Sequence, residues 1–508
     1  MTDRRIEQLF AEATANNWNR RQVMKRAAAL GISVPAFVAA MMKAGPAFAQ
    51  ESTPGATPVG SPAATLTFDT SNPLGVDPAA GLNPYIFNGG FGIAYAENVN
   101  SIYQQVYPES AANFKFESGQ GLGPALQPRF VGGNPPDVID NSGANNLDQT
   151  GLADQGQLAD LGDLMSALSF DTPDTSFKDT LIAGSMDSGI FDGKQQILYL
   201  GYTVTGLWTS GKLMRDNGYT YPKTWDEFMA ICADIKANLP GVAPFVTTGV
   251  HTQYMRGFVF DQLVYKNGGL PAMGAIDNLE DNAWKSDPVK AAASAILDLA
   301  KNGYILPGFE GLDHTQSQNE WFNGKGVFLP CGSWLENESG VSSLGSVEAV
   351  DAFEMQVSPI PSLTATDQLP FEAIFASAGE NFIVPEKAAN KQGGKEWIRM
   401  LLSQTGASYF SQNTRTLSVV KGAAEGLDAG PGLASQQATI AAAGTNTLTS
   451  FYSGWYKDLD KATHDAMFQL LTQAIDVDGF CQTCQDAADA VKSDDAVTKH
   501  TRPDYPGQ

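Results

Sequence analysis

From about residue 82 the sequence alternates short β-prone runs with amphipathic helical periods, and this alternation restricts the fold more than any other feature of the chain. Strands separated by helices cannot all pair as hairpins; they need crossover connections and a sheet covered by helices. Tyr85-Ile86-Phe87 leads into Asn88-Gly89-Gly90-Phe91-Gly92, a strand closing in a glycine turn, and residues 96–106 read as helix. Asp137 to Asp140 is a second short strand, entered from Asn134-Pro135-Pro136. Residues 197–207 form a longer β-prone stretch. Thr224 opens a helix as N-cap, with Glu227 three positions on as in a capping box, and Phe228, Ile231, Cys232 and Ile235 recur at helical spacing. Residues 289–301 and 395–402 are further amphipathic helices. The expected class is α/β, with no internal repeat.

Composition permits such a fold and excludes several functions. The 508 residues are 43% hydrophobic, enough for a large core and for two to four units of about 100–200 residues each. Acidic residues outnumber basic ones 55 to 32, giving a formal charge of −23 that repels phosphate backbones and argues against a nucleic-acid partner. No apolar run reaches the about 18–20 residues of a membrane span. The histidines (His251, His314, His464 and His500) are scattered, so neither a His-rich metal centre nor a cofactor is implied.

The first 65 residues read as an address and a tether. Arg20, Arg21 and Lys25 precede an apolar, Ala-rich stretch over 27–42, and Ala47-Phe48-Ala49 places small residues before Gln50. This is the three-part export pattern, and the arginine pair resembles a twin-arginine signal over residues 1–49; the general secretory route is the competing reading. That segment carries a net +4, so its removal leaves −27. Residues 50–65 are a Pro/Ser/Thr-rich linker. No cysteine adjoins the cleavage site, so a lipobox is not expected. The implied location is extracytoplasmic, either periplasmic or associated with the cell surface.

Catalysis finds no support. There is no Gly-x-Ser-x-Gly elbow, no His-Glu-x-x-His pair and no phosphate-binding loop. Asp476-Val477-Asp478-Gly479 lacks the later ligands of a calcium loop. Cys481 and Cys484 have thioredoxin-like spacing without its framing residues, which leaves a local disulfide or two free thiols. Recognition is the alternative. Sugars are bound by aromatic faces against the apolar side of the ring and by polar groups on the hydroxyls. Trp334 follows the strand-like Gly326 to Leu329 through Pro330-Cys331-Gly332-Ser333, at a strand-to-helix turn of the kind that projects into the crevice of an open α/β sheet; a core tryptophan is the competing reading.

Gly133 to Asp137, Trp225-Asp226-Glu227 after Pro222, the Gly-x-Trp of Gly332 to Trp334, and Ser377 to Glu380 occur in the order found in extracellular solute-binding proteins of carbohydrate ABC importers. The chain resembles this maltodextrin-binding-protein-like family from about residue 82 to 495. Ile86 to Gly92, Leu126 to Phe130 with Asp140 to Gly143, and Pro330 to Glu336 resemble the subgroup that captures N-acetylglucosamine and N,N′-diacetylchitobiose. The resemblance implies a two-lobed periplasmic-binding-protein-like fold (type II), each lobe a mixed sheet flanked by helices. The N-lobe would comprise 66–201 plus 362–408, the C-lobe 205–358 plus 409–495, and 496–508 a C-terminal tail; hinges would lie near 202–205, 359–362 and 402–406. It also implies a monomeric, non-enzymatic subunit that passes a sugar to the transmembrane permease. Carried over by motif, the ligand contacts are Asn88, Phe91, Asp140, Asn141, Asn145, Tyr202, Thr203, Tyr254, Arg256, Trp334, Glu380, Trp455 and Tyr456, with Trp334 as the stacking platform. Another oligosaccharide or small polar solute in the same fold is the alternative; an exported glycoside hydrolase is the alternative of another class.

Overall fold

The computed structural model describes residues 69, 71–143, 145–427 and 430–502; the expected signal and linker lie outside the described residues. Nine strands share one mixed sheet: β1 (Pro84–Phe87), β2 (Glu117–Gly119), β3 (Val138–Asp140), β4 (Ile197–Ser210), β5 (Ala243–Phe245), β6 (Gly326–Gly332), β7 (Met355–Ser358), β8 (Ile374–Ile383) and β9 (Thr447–Leu448). Their order is β2-β1-β3-β8-β4-β6-β5, with β7 beside β4 and β9 beside β8. The helices that matter for the site are α1 (Ala94–Val106), α2 (Gln149–Asp154), α3 (Trp225–Asn238), α4 (Asp261–Asp277), α5 (Lys391–Leu401), α6 (Gln404–Thr414), α7 (Lys457–Leu471) and α8 (Val477–Ser493).

β4 organises the molecule. Its 14 residues are rich in β-branched and aromatic side chains and almost all buried, as a strand covered on both faces must be. β8 runs antiparallel to it, from Phe375 opposite Thr205 to Ile383 opposite Ile197. The first end of β4 joins β1, β3 and α5 in one apolar core, which includes Ile86, Ile139, Leu198, Phe382 and Trp397. The other end joins β5, β6 and helices α3, α4, α7 and α8 in a second, which includes Leu207, Phe228, Phe245 and Phe328. A third, smaller cluster around Trp208, Trp321 and Leu335 lies next to β6.

Core membership shows where the chain changes lobe: within β4, within β8, and between Ala423 and Ala443. Two segments expected to cross do not. Ile360 stays in the second core, whereas Leu402, Ala407 and Phe410 stay in the first, where Phe410 packs edge-on against Tyr95 of α1 (5.7 Å). Pairing along the whole of β8 moves the second crossing into that strand.

Local signals hold where they are self-contained. The Thr224 hydroxyl accepts from the Glu227 N–H (3.3 Å) and the Glu227 carboxylate accepts from the Thr224 N–H (3.2 Å), the reciprocal bonds of a capping box. Asp476 caps α8 by accepting from the Gly479 N–H (2.9 Å). Cys481 and Cys484 lie one turn apart on that helix as buried free thiols. The chain beyond residue 496 is docked as far as it is described: the His500 N–H donates to the Tyr456 hydroxyl (2.9 Å), and Arg502 pairs with buried Asp277.

Lys266 of α4 is fully buried, donating to the Phe371 carbonyl (2.8 Å) and to that of Ile360, with no ion pair among the described residues. Burial lowers its pKa to about 7, although Asp367 and Glu372 oppose the shift. The unfolded chain keeps this proton until about pH 10.4 and the folded chain releases it near 7, so stability rises with pH across that window. Lys266→Met is expected to flatten the rise, measured as the urea midpoint from about pH 7 to 10; an unchanged slope would show that Lys266 does not cause it.

Candidate functional site

The C-lobe wall of the site begins where β6 ends. Beyond Gly332 the Ser333 hydroxyl takes over the pairing, accepting from the Val204 N–H (2.9 Å) and tying the turn to β4. Trp334 follows, and the chain enters a wide helical turn of i→i+5 type over Glu336–Gly340. A second wide turn, Arg256–Phe260, follows Tyr254. Such turns displace side chains from the α-helical stripe and are frequent at functional sites.

Here they gather an aromatic group. Trp334, half-buried, folds over Gly332; a Cβ on Gly332 would fall 2.2 Å from the indole. The indole stands edge-on to Tyr254 (6.0 Å, 88°) and Phe258 (5.8 Å, 61°). Tyr254 stacks on His314 (5.9 Å), whose Nδ1 lies 3.4 Å from that of His251 and whose Nε2 lies 3.2 Å from Glu338 Oε1. Gln318 donates to the other Glu338 oxygen (2.7 Å).

The N-lobe wall begins with the glycine turn after β1. A Cβ on Gly90 would sit 3.1 Å from the Trp334 Cβ and 3.3 Å from Glu338, so a side chain here would push on the facing wall. The Asn337 amide donates to the Gly90 carbonyl across the cleft. On this wall Asp140, at the end of β3, is fully buried and accepts from the Tyr95 hydroxyl (2.6 Å) and the Ser142 hydroxyl (2.5 Å). Glu380 on β8 lies beside it, and one of its carboxyl oxygens is buried without a partner.

The electrostatics are one-sided. Burial raises the pKa of Glu380 well above the usual carboxylate range, and the charges of Asp140 and Glu338 add to the shift. Burial also raises Asp140. Glu338 raises His314, while burial and His314 lower His251. This cleft therefore offers carboxyl oxygens and aromatic faces, the chemistry of a neutral, donor-rich polar ligand.

The expected site residues divide into those the structure gathers and those it does not. Tyr254 and Trp334 come together on one wall and Asp140 and Glu380 on the other, and Asn88 lies exposed at the rim beside the glycine turn. Tyr202 lies elsewhere, lining a cavity of ≈ 370 Å³ with Ser377, Ser185, Asp187 and Phe451. Thr203 lies one position further along β4, opposite Ser377. Phe91 is 6% exposed and packs edge-on against Phe410 (5.2 Å), so it belongs to the N-lobe core. Asn141 is fully buried and spent on its own loop, its amide donating to the Leu147 carbonyl (3.1 Å) and its oxygen accepting from the Leu147 N–H (2.8 Å). Asn145 is exposed, and its carbonyl accepts from the Gly123 N–H (2.8 Å). Arg256 turns inward to Asp261 (2.8 Å), Asp460 (2.5 Å) and the Tyr452 hydroxyl (2.9 Å), away from the indole. Trp455 stacks on Phe451 (5.0 Å) and lies against His500, while Tyr456 is buried; both line a cavity against α2, where the Gly454 carbonyl accepts from the Thr150 hydroxyl (3.1 Å).

Phe258, Glu338, His251 and His314 are the additions. Glu338 follows Trp334 by four positions, within the Glu336-Asn337-Glu338 turn. The two histidines, 63 positions apart, carried no local signal.

The sequence profile of the bacterial extracellular solute-binding proteins matches residues 91–408. The chain is 34% identical over 436 residues to the diacetylchitobiose binding protein NgcE of Streptomyces coelicolor, covering 84% of this chain and 88% of that one. Among solved structures it resembles a chitin oligosaccharide binding protein (TM-score 0.66, 17% identity, 81% of this chain and 98% of that one). It also resembles the binding protein RafE in complex with raffinose (TM-score 0.62, 17% identity, 81% and 100%).

Proposed function

We propose that this chain, which belongs to the bacterial extracellular solute-binding proteins and is a sugar-binding protein of an ABC transporter rather than an enzyme, captures N-acetylglucosamine or a diacetylchitobiose-type oligosaccharide between its lobes and delivers it to the membrane permease. The observation that carries this reading is the half-buried Trp334 indole, set between the N-lobe glycine turn and the C-lobe aromatics and accompanied by carboxyls from both walls. An indole face stacks on the C–H side of a pyranose, and carboxyl oxygens accept from hydroxyl and amide N–H groups. The diacetylchitobiose-binding relative supports the choice of an N-acetylated sugar.

Closure follows from differential affinity. A sugar touching Trp334 and Glu338 on one wall and Glu380, backed by Asp140, on the other binds the closed form more tightly than the open one, and so shifts the population toward closure. The closed shape is what the permease reads. Export by a twin-arginine signal, an extracytoplasmic location and action as a monomer belong to the same proposal.

The test is a thermal-shift panel of mono- and disaccharides, followed by calorimetric titration of those that stabilise the protein. Diacetylchitobiose or N-acetylglucosamine should raise the midpoint and be recovered intact. A panel in which only sugars without acetamido groups stabilise the protein would move the specificity elsewhere, and cleavage of the disaccharide would favour the hydrolase.

A further inference from the structure

Glu380 stands in the middle of a strand at φ +55°, the left-handed region that non-glycine residues seldom occupy. The β4–β8 ladder skips it: Gly379 pairs with Gly201 and Asn381 with Tyr199, with no pair at Glu380 between them. Released from the ladder, its carboxyl reaches Asp140 and Ser142. Among the described residues no arginine or lysine neutralises the pair; the titratable groups facing it are Tyr95 from α1 and Glu338 from the opposite wall.

The two acids are not equivalent. Asp140 receives hydrogen bonds from Tyr95 and Ser142, and the Ser142 oxygen in turn accepts from the Asn381 N–H (2.9 Å), which leaves the Ser142 proton for Asp140. Those donors favour a negative charge on Asp140. The Glu380 carboxyl lies beside Asp140 and Ser142, and among the described residues one of its oxygens is buried with no hydrogen-bond partner. Two adjacent carboxylates, one with a buried unpartnered oxygen, repel each other when both are ionised, which favours one proton shared between them.

Resting on the sugar-binding reading above, we propose that Glu380 is a specificity residue that meets the ligand as a neutral carboxyl. Its O–H donates to Asp140, and its free carbonyl oxygen accepts a hydrogen bond from a sugar N–H or O–H, the acetamido N–H being the donor that sets an N-acetylhexosamine apart from a plain hexose. A neutral acceptor suits a neutral sugar; a doubly ionised pair would suit an ammonium group instead. Burial and the Asp140 charge, which hold the Glu380 pKa high, point the same way.

Glutamine has the shape of a protonated glutamate, with an N–H for Asp140 and a carbonyl for the ligand. In calorimetric titrations with diacetylchitobiose between about pH 5.5 and 8.5, E380Q is therefore expected to stay within about threefold of wild-type affinity and to lose the fall in affinity that ionisation of Glu380 causes. E380A should weaken at least tenfold at every pH, and wild-type affinity should fall as rising pH ionises Glu380. E380Q as weak as E380A, wild-type affinity that rises with pH, or tighter binding of the deacetylated disaccharide would each overturn the proposal. Unfolding midpoints establish that both variants fold. A ligand-free arm separates this proposal from the sugar reading. The infrared difference spectrum of wild type minus E380Q at neutral pH should contain a protonated-carboxyl band, and its absence overturns the proposal whichever sugar binds.

Discussion

Trp334→Ala should weaken sugar binding at least tenfold, about 1.4 kcal/mol or more, while the protein stays folded. The indole is half-buried and rests on the edge of two apolar clusters rather than within either, so its removal costs little of the core. It does remove the large aromatic face between the glycine turn and the C-lobe aromatics. A sugar ring that stacks there loses dispersion contacts and water exclusion together, and the neighbouring Tyr254 and Phe258 meet the indole edge-on, leaving neither placed to substitute. Calorimetric titration gives the affinity and the urea midpoint gives the stability. An unchanged affinity in a folded variant would remove Trp334 from the site. Loss of both together would show that the indole supports the lobe rather than the ligand.

Arg256→Met should have the opposite signature, destabilising the protein by about 3–5 kcal/mol and leaving sugar affinity unchanged at temperatures where the variant is folded. The guanidinium is 4% exposed, bonded to Asp261 and Asp460 and lying over the Tyr452 ring (5.1 Å). Removing it strands the fully buried Asp261 carboxyl, whose pKa burial already raises to about 6 even with the arginine beside it. The network anchors α7 to the wide turn that presents Phe258, so the variant is best compared at low temperature, where the lobe is intact. A ligand-specific defect without loss of stability would return Arg256 to the cleft.

The two variants separate what each kind of information can reach. Trp334 was legible because its signal is local: a strand-like run, a Gly-Ser turn and an indole in a polar setting place it at the end of β6 without knowledge of anything distant. The capping box at Thr224 and Glu227 was legible for the same reason. Arg256 was not. Of its partners only Asp261, five positions on, is local; Tyr452, Asp460 and His464 lie about 200 positions away, and nothing in the neighbourhood of Tyr254 reveals that they wait behind the helix. Asn141 and Phe91 failed similarly. Both stand in motifs that adjoin the site, yet the loop closed by Leu147 consumes one and the packing of α6 against α1 covers the other. The lobe boundaries went astray at 402–406 because the apolar periodicity of α6 shows that it packs, but not against which core.

The sequence by itself determined the α/β class, the positions of the main strands, the absence of catalytic motifs and the tryptophan at the strand end, because propensity, capping and turn chemistry act over a few residues. Tertiary structure alone decided which acids share the cleft, which residues the core withdraws from it, and that Glu380 leaves the strand ladder to pair with Asp140. Those outcomes depend on desolvation and on charges brought together from β3, β8 and the turn after β6, quantities that exist only once the chain has folded.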